Sequence, residues 1–124
     1  MPVRSLNSVV LKWPGRDEVL SAARRWATEL TTHASAVEKV YCVGSYARGD
    51  WGVGSDLDVI VVLSDTDLSP FGRRLRYEPQ DVPVPADVWV YTKAEWGALG
   101  SHSPQLWRRL QRELVELASA RSPV

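Results

Sequence analysis

Gly44-Ser45-Tyr46-Ala47-Arg48-Gly49-Asp50-Trp51-Gly52-Val53-Gly54-Ser55-Asp56-Leu57-Asp58, running straight into Val59-Ile60-Val61-Val62, is the most informative segment of the chain. Gly44-Ser45 closes one apolar run and opens a short helix, where backbone N–H groups and the Ser45 hydroxyl face outward and suit a phosphate. Asp56 and Asp58 stand two apart as a strand begins, so the period of two puts both carboxylates on one face while Leu57 points into the core. Two carboxylates about 4 Å apart repel by roughly 4 kcal/mol at an effective dielectric near 20, which calls for a proton or a cation between them. Asp87, in Pro85-Ala86-Asp87-Val88-Trp89-Val90, supplies a third carboxylate on an expected neighbouring strand. Carboxylates without a paired His suit Mg²⁺ or Mn²⁺ rather than zinc.

Outward from this segment the elements can be read from periodicity. Val19, Ala22, Ala23, Trp26, Ala27 and Leu30 form the stripe of an amphipathic helix over Asp17 to His33, after Pro14-Gly15. Val37 to Val43 is a short buried strand. Leu57 to Leu63 is near-continuously aliphatic, which predicts a central strand covered on both faces. Ser64 to Gln80 reads as loop with one helical turn, and Ala86 to Tyr91 as a third strand behind prolines. Thr92 and Glu95 make a capping box for a helix to about Leu99. A last helix is expected from Ser103-Pro104 to about Ala120, with Leu106, Trp107, Leu110, Leu114 and Leu117 on one face. The order predicts an α/β (α+β) fold in which helices cover a small mixed sheet.

The pattern resembles the minimal nucleotidyltransferases of the DNA polymerase β superfamily, whose signature is Gly-Ser, ten residues, then Asp-x-Asp on a strand. Here ten residues, Tyr46 to Ser55, separate Ser45 from Asp56. The resemblance implies transfer of a nucleoside monophosphate from ATP, or another NTP, to a hydroxyl. Gly44 and Ser45 would hold the β/γ-phosphates, Asp56 and Asp58 two Mg²⁺ ions, and Asp87 one of the same metal sites and the acceptor's proton. Arg48 would either support the phosphates or pair with a motif carboxylate. In resembling families the partner is often a small helical HEPN ribonuclease toxin, which the transferase neutralises as an antitoxin by attaching AMP to a tyrosine. A non-catalytic binding module on the same fold, or transfer to RNA or a small-molecule hydroxyl, are the alternatives.

Composition narrows the setting. With 124 residues the chain is expected to be one domain, residues 1–124, without room for a separate acceptor domain. Lys plus Arg and Asp plus Glu are both 15, so the formal charge is zero and no global field draws in nucleic acid or a membrane. The longest aliphatic run, Val59 to Leu63, is too short to span a bilayer, and Met1 to Arg4 lack a signal peptide's apolar region, so a cytoplasmic protein is expected. The single cysteine, Cys42, permits no intrachain disulfide and reads as a small core residue. Self-association is allowed by these data.

Other readings fail on order or spacing. A dehalogenase-type Asp-x-Asp follows its aliphatic strand, whereas here the strand follows the aspartates. Ile60 and Val61 stand where a calcium loop needs oxygen ligands and glycine. Gly52-x-Gly54 lacks a third glycine for a dinucleotide site, and no Walker lysine is present. His33 and His102 lie near helix ends and are assigned no ligand role. Trp26 and Trp107 fall on helical stripes and read as core; Trp51 could stack on a base or cover the sheet. The clusters Arg73/Arg74/Arg76 and Arg108/Arg109/Arg112 read first as solvated faces.

Overall fold

The computed structural model describes residues 13–120; the reading of Met1 to Arg4 lies outside them. The first helix, α1, spans Arg16–His33 and buries Val19, Leu20, Ala22, Ala23 and Ala27, with Asp17 and Glu18 complementing the positive end of its dipole. It is followed by β1 (Val37–Val43), a one-turn helix α2 (Ser45–Arg48) and β2 (Leu57–Leu63). Then come α3 (Pro70–Arg76), β3 (Ala86–Thr92), α4 (Lys93–His102), α5 (Pro104–Glu113) and β4 (Val115–Ser119).

The sheet runs β3-β2-β1-β4. β1 is antiparallel to both β2 and β4, while β2 and β3 are parallel, so the sheet is mixed as expected. Every residue of β2 is buried except Asp58, which is half-buried. Its aliphatic run is explained by two covered faces. Leu57, Val59, Val61 and Leu63 pack with α1 residues such as Val19, Ala23 and Ala27, whereas Ile60 and Val62 pack with Leu110 and with the half-buried Trp96, Leu99 and Leu106 of α4 and α5. Cys42 lies fully buried on the α1 side, and burial is the main cause that pushes its thiol pKa up to about 12.

Two elements differ from expectation. Residues 70–76 form a two-turn helix rather than loop with a single turn: Ser69 Oγ accepts from the Gly72 N–H at 3.1 Å, and Pro70 stands in the first turn, where it needs no donor. The final helix stops at Glu113 instead of reaching Ala120, and Val115–Ser119 becomes an edge strand on β1. Leu117 therefore reaches the α1-side core from a strand. Leu114 and Leu117 fit a helical stripe equally well, but the strand satisfies the open backbone edge of β1, which a helix continued in sequence would leave unpaired.

The tryptophans divide. Trp26 is half-buried against the core, and Trp107 is half-buried with its ring edge-on to Trp96 at 5.0 Å and 67°. Trp51 stacks on Tyr46, with centroids 5.7 Å apart and planes 8° from parallel, which fits the sheet-covering option.

Candidate functional site

The strand-to-helix turn at Gly44 is held from several sides. Tyr46 is fully buried, and its hydroxyl accepts from Trp13 Nε1 at 3.0 Å. Arg16 Nε donates to the Tyr46 carbonyl at 2.7 Å, tying α1 to the turn. Gly44 has φ 76° and ψ −155°, a region that is essentially glycine's own. The position is also closed sterically, because a Cβ built there would meet Asp58 Oδ2 at 2.5 Å. The Asp58 carboxylate is thus placed directly over the turn, and both requirements select glycine.

Asp58 and Asp87 are aligned partners in the parallel β2–β3 ladder. The Leu57 N–H donates to the Pro85 carbonyl at 2.8 Å, fixing that register at the point where both strands begin. Asp58, Ile60 and Val62 share a face of β2, and Asp87, Trp89 and Tyr91 occupy the matching face of β3. Asp56 lies exposed just before β2. Burial first, then the charges of Asp87 and Asp56, raise the Asp58 pKa above its ordinary value, while Arg48 lowers it. Two of the aspartates singled out in the sequence, Asp87 and Asp56, therefore act electrostatically on the third, Asp58.

Their donor chemistry fits a hard divalent cation: oxygen ligands, mutual repulsion and one partly desolvated carboxylate. Among the described residues, no three His, Cys, Asp or Glu side chains form a closed metal-holding group. A cation here would meet an open arrangement rather than a preformed cage. Asp87 has a long ion pair, Arg74 Nη2 to Oδ1 at 3.8 Å, so one arginine of the α3 cluster borders the site. Its neighbour Arg73 turns away to Glu95, at 2.7 Å, and supports the Thr92/Glu95 capping box.

Arg48 takes the pairing option. Its Nε lies 3.0 Å from Asp50 Oδ2 and its Nη1 3.4 Å from Glu113 Oε2. Glu113 also accepts from the Gly44 N–H through Oε1 at 3.3 Å. That N–H, read from the sequence as facing an anion, already has a carboxylate partner. Glu113 was missed in the sequence, although a signal existed: it follows Leu106 and Leu110 at i+7 and i+3, a carboxylate on the apolar stripe.

Beside the turn a cavity of about 370 Å³ opens between the sheet and α5, with Trp89, Tyr91, Leu106 and Leu110 as apolar walls and Gly44, Arg48 and Glu113 at its polar end. A wider, shallower cleft of about 770 Å³ lies between α2 and α5 and is lined by Arg48, Arg109 and Arg112. Arg109 borders both spaces, so part of the second basic cluster, read as solvated, faces the site.

An acidic trio at the head of two parallel strands, beside a Gly-Ser turn and an apolar cavity, is an arrangement suited to phosphoryl chemistry. The nucleotidyltransferase domain family matches residues 23–111, a span that contains the Gly-Ser turn and all three aspartates, and the chain belongs to this family of transferases. Among solved structures, a Sulfolobus solfataricus protein provisionally assigned as a nucleotidyltransferase shares the fold, with a TM-score of 0.60 and 22% identity over 84% of this chain and 83% of that one. A toxin–antitoxin structure with AMP-PNP is more distant: its TM-score is 0.49, with 19% identity over 87% of this chain and 76% of the other. Comparison with curated proteins gives no match.

Proposed function

We propose that this chain transfers AMP from ATP, with Mg²⁺, to a hydroxyl on a partner protein, and that the partner is a helical HEPN-type toxin modified on tyrosine, making this chain a cytoplasmic antitoxin. The observation that carries the transfer is the alignment of Asp58 with Asp87, next to Asp56 and against the Gly44 turn. Asp56, Asp58 and Asp87 would hold Mg²⁺. Bound there, the two ions would polarise the α-phosphate and neutralise charge on the departing pyrophosphate.

The chain's own residues perform the rest. Gly44 and Ser45 receive the β/γ-phosphates, and Trp89 and Tyr91 offer aromatic surface to the base in the neighbouring cavity. Asp87 accepts the proton of the acceptor hydroxyl, whose oxygen forms a bond to the α-phosphorus as the α–β bridging bond breaks and pyrophosphate leaves. Arg74, 3.8 Å from Asp87, stands at the edge of the acceptor's approach. Asp56 is exposed and the Asp87 side chain is 48% exposed, so a hydroxyl carried by a macromolecule can reach them.

The choice of acceptor follows the resemblance of the Gly44-to-Asp58 segment to toxin-paired transferases. The test is to co-express the chain with the product of the adjacent gene, supply Mg²⁺ and α-labelled ATP, and map the label. Label on a tyrosine, lost in Asp58→Asn, is expected. Neutralisation that persists unlabelled in Asp56→Asn and Asp58→Asn would instead establish masking by contact alone.

A further inference from the structure

Glu113 stands where the chemistry of the turn would place a substrate anion. Its carboxylate takes the Gly44 N–H at 3.3 Å with one oxygen and Arg48 at 3.4 Å with the other. Its side chain is only 13% exposed, and it lines both the 370 Å³ cavity and the 770 Å³ cleft, at their junction. Arg48 already has a second carboxylate, Asp50, at 3.0 Å, so it carries no uncompensated charge in this arrangement. A polyphosphate cannot share the Gly44 N–H and Arg48 with Glu113 without placing like charges in contact.

We infer that Glu113 is an internal anion that occupies the Gly44–Arg48 cradle and that an incoming polyphosphate displaces, so that this residue sets nucleotide affinity. The inference rests on the nucleotide-binding reading above. Glu113 is the last residue of α5, and Arg109 lies one turn before it on the same helix, at the spacing that allows a released Glu113 carboxylate a new partner. Displacement therefore exchanges one charge-assisted contact for another and leaves Arg48 free for phosphate.

The experiment is calorimetric titration of the full chain with inorganic tripolyphosphate and, separately, with a non-hydrolysable ATP analogue and Mg²⁺. Glu113→Gln keeps an acceptor for the Gly44 N–H but removes the charge. It is expected to bind both ligands roughly tenfold more tightly than wild type. A purely structural role for Glu113 would give equal or weaker binding, and either result overturns the inference. In an Arg48→Gln background the gain from Glu113→Gln should shrink by at least half, whereas an undiminished gain would show that Arg48 is not contested and overturn the displacement. Tight binding by Glu113→Gln where wild type binds nothing supports the inference, while absence of binding in both removes the nucleotide reading and this inference with it. A measurement on the unmodified protein covers the case of a variant that does not fold: the Gly44 amide resonance should shift on saturation with tripolyphosphate, and a bound ligand that leaves it unmoved contradicts the displacement.

Discussion

Asp58 and Asp87 face each other across the parallel β2–β3 ladder, and a β-carbon at Gly44 would lie 2.5 Å from the Asp58 carboxylate. Three elements thus meet at one half-buried acid. The cost of keeping Asp58 ionised beside Asp87 and Asp56 appears as its raised pKa. That is the electrostatic demand a bound cation would meet, and it separates what Asp58 does for stability from what it does for chemistry.

Asp58→Asn should lower nucleotide transfer by roughly 100-fold or more, measured as label incorporated into the acceptor. In metal-free buffer at neutral pH the same variant should be at least as stable as wild type, because a partly desolvated charge next to two like charges is removed. Thermal unfolding with and without Mg²⁺ checks both signs: wild type should gain stability from Mg²⁺ and the variant should gain less.

Gly44→Ala should destabilise the fold by about 1–3 kcal/mol, since alanine avoids φ 76°, ψ −155° and its methyl would push Asp58 aside. Denaturant titration measures the loss. Transfer should fall further than stability does, because the displaced group is the carboxylate itself.

Trp89 is 46% exposed and walls the cavity beside the turn. Trp89→Ala should therefore cost less than about 1 kcal/mol of stability. If the cavity receives the base, ATP affinity should fall roughly tenfold, in the range expected for a lost aromatic stack, while affinity for inorganic tripolyphosphate stays unchanged.

Glu95 ties α4 to α3 through Arg73, and the Arg73 hydrogen bond, followed by the Thr92 N–H, holds its pKa below the ordinary 4.5. Its contribution is full above the unfolded-state value and disappears as pH falls through the lower folded-state value. Glu95→Gln should be less stable than wild type near neutral pH, by under about 1 kcal/mol for a pair whose carboxylate side is half-exposed. The difference should narrow as pH falls through the folded-state value; urea midpoints across the acid range test it.

Cys42 is exposed to neither solvent nor reagent, being 0% accessible with a thiol pKa pushed up to about 12. Alkylation at neutral pH should proceed only in denaturant, because the thiolate is the reactive species. Rapid labelling of the native chain by iodoacetamide would contradict this burial.

Much of this architecture is set by local pattern. The aliphatic run of Leu57 to Leu63 can be stable only between two covered faces, and it occupies the middle of the sheet. The Thr92/Glu95 capping box forms as its three-residue spacing requires. The Gly-Ser turn, the Asp-x-Asp pair and Asp87 were also legible, because turn chemistry and period-two alternation act over a few residues. Periodicity could not settle Leu114 and Leu117, which suit a helix stripe and a strand face alike. The open edge of β1 decided for the strand.

The sequence by itself determined the acidic trio, the glycine turn and the order of the main elements, since each depends on neighbours close in the chain. Only the tertiary structure decided that Asp58 aligns with Asp87, that Arg48 is held by Asp50 and Glu113, and that Arg74 rather than Arg73 borders the aspartates. Those are relations between residues as far apart as Gly44 and Glu113. Strand register and helix docking bring such residues together, and both are fixed by burying the whole core at once rather than by any local preference.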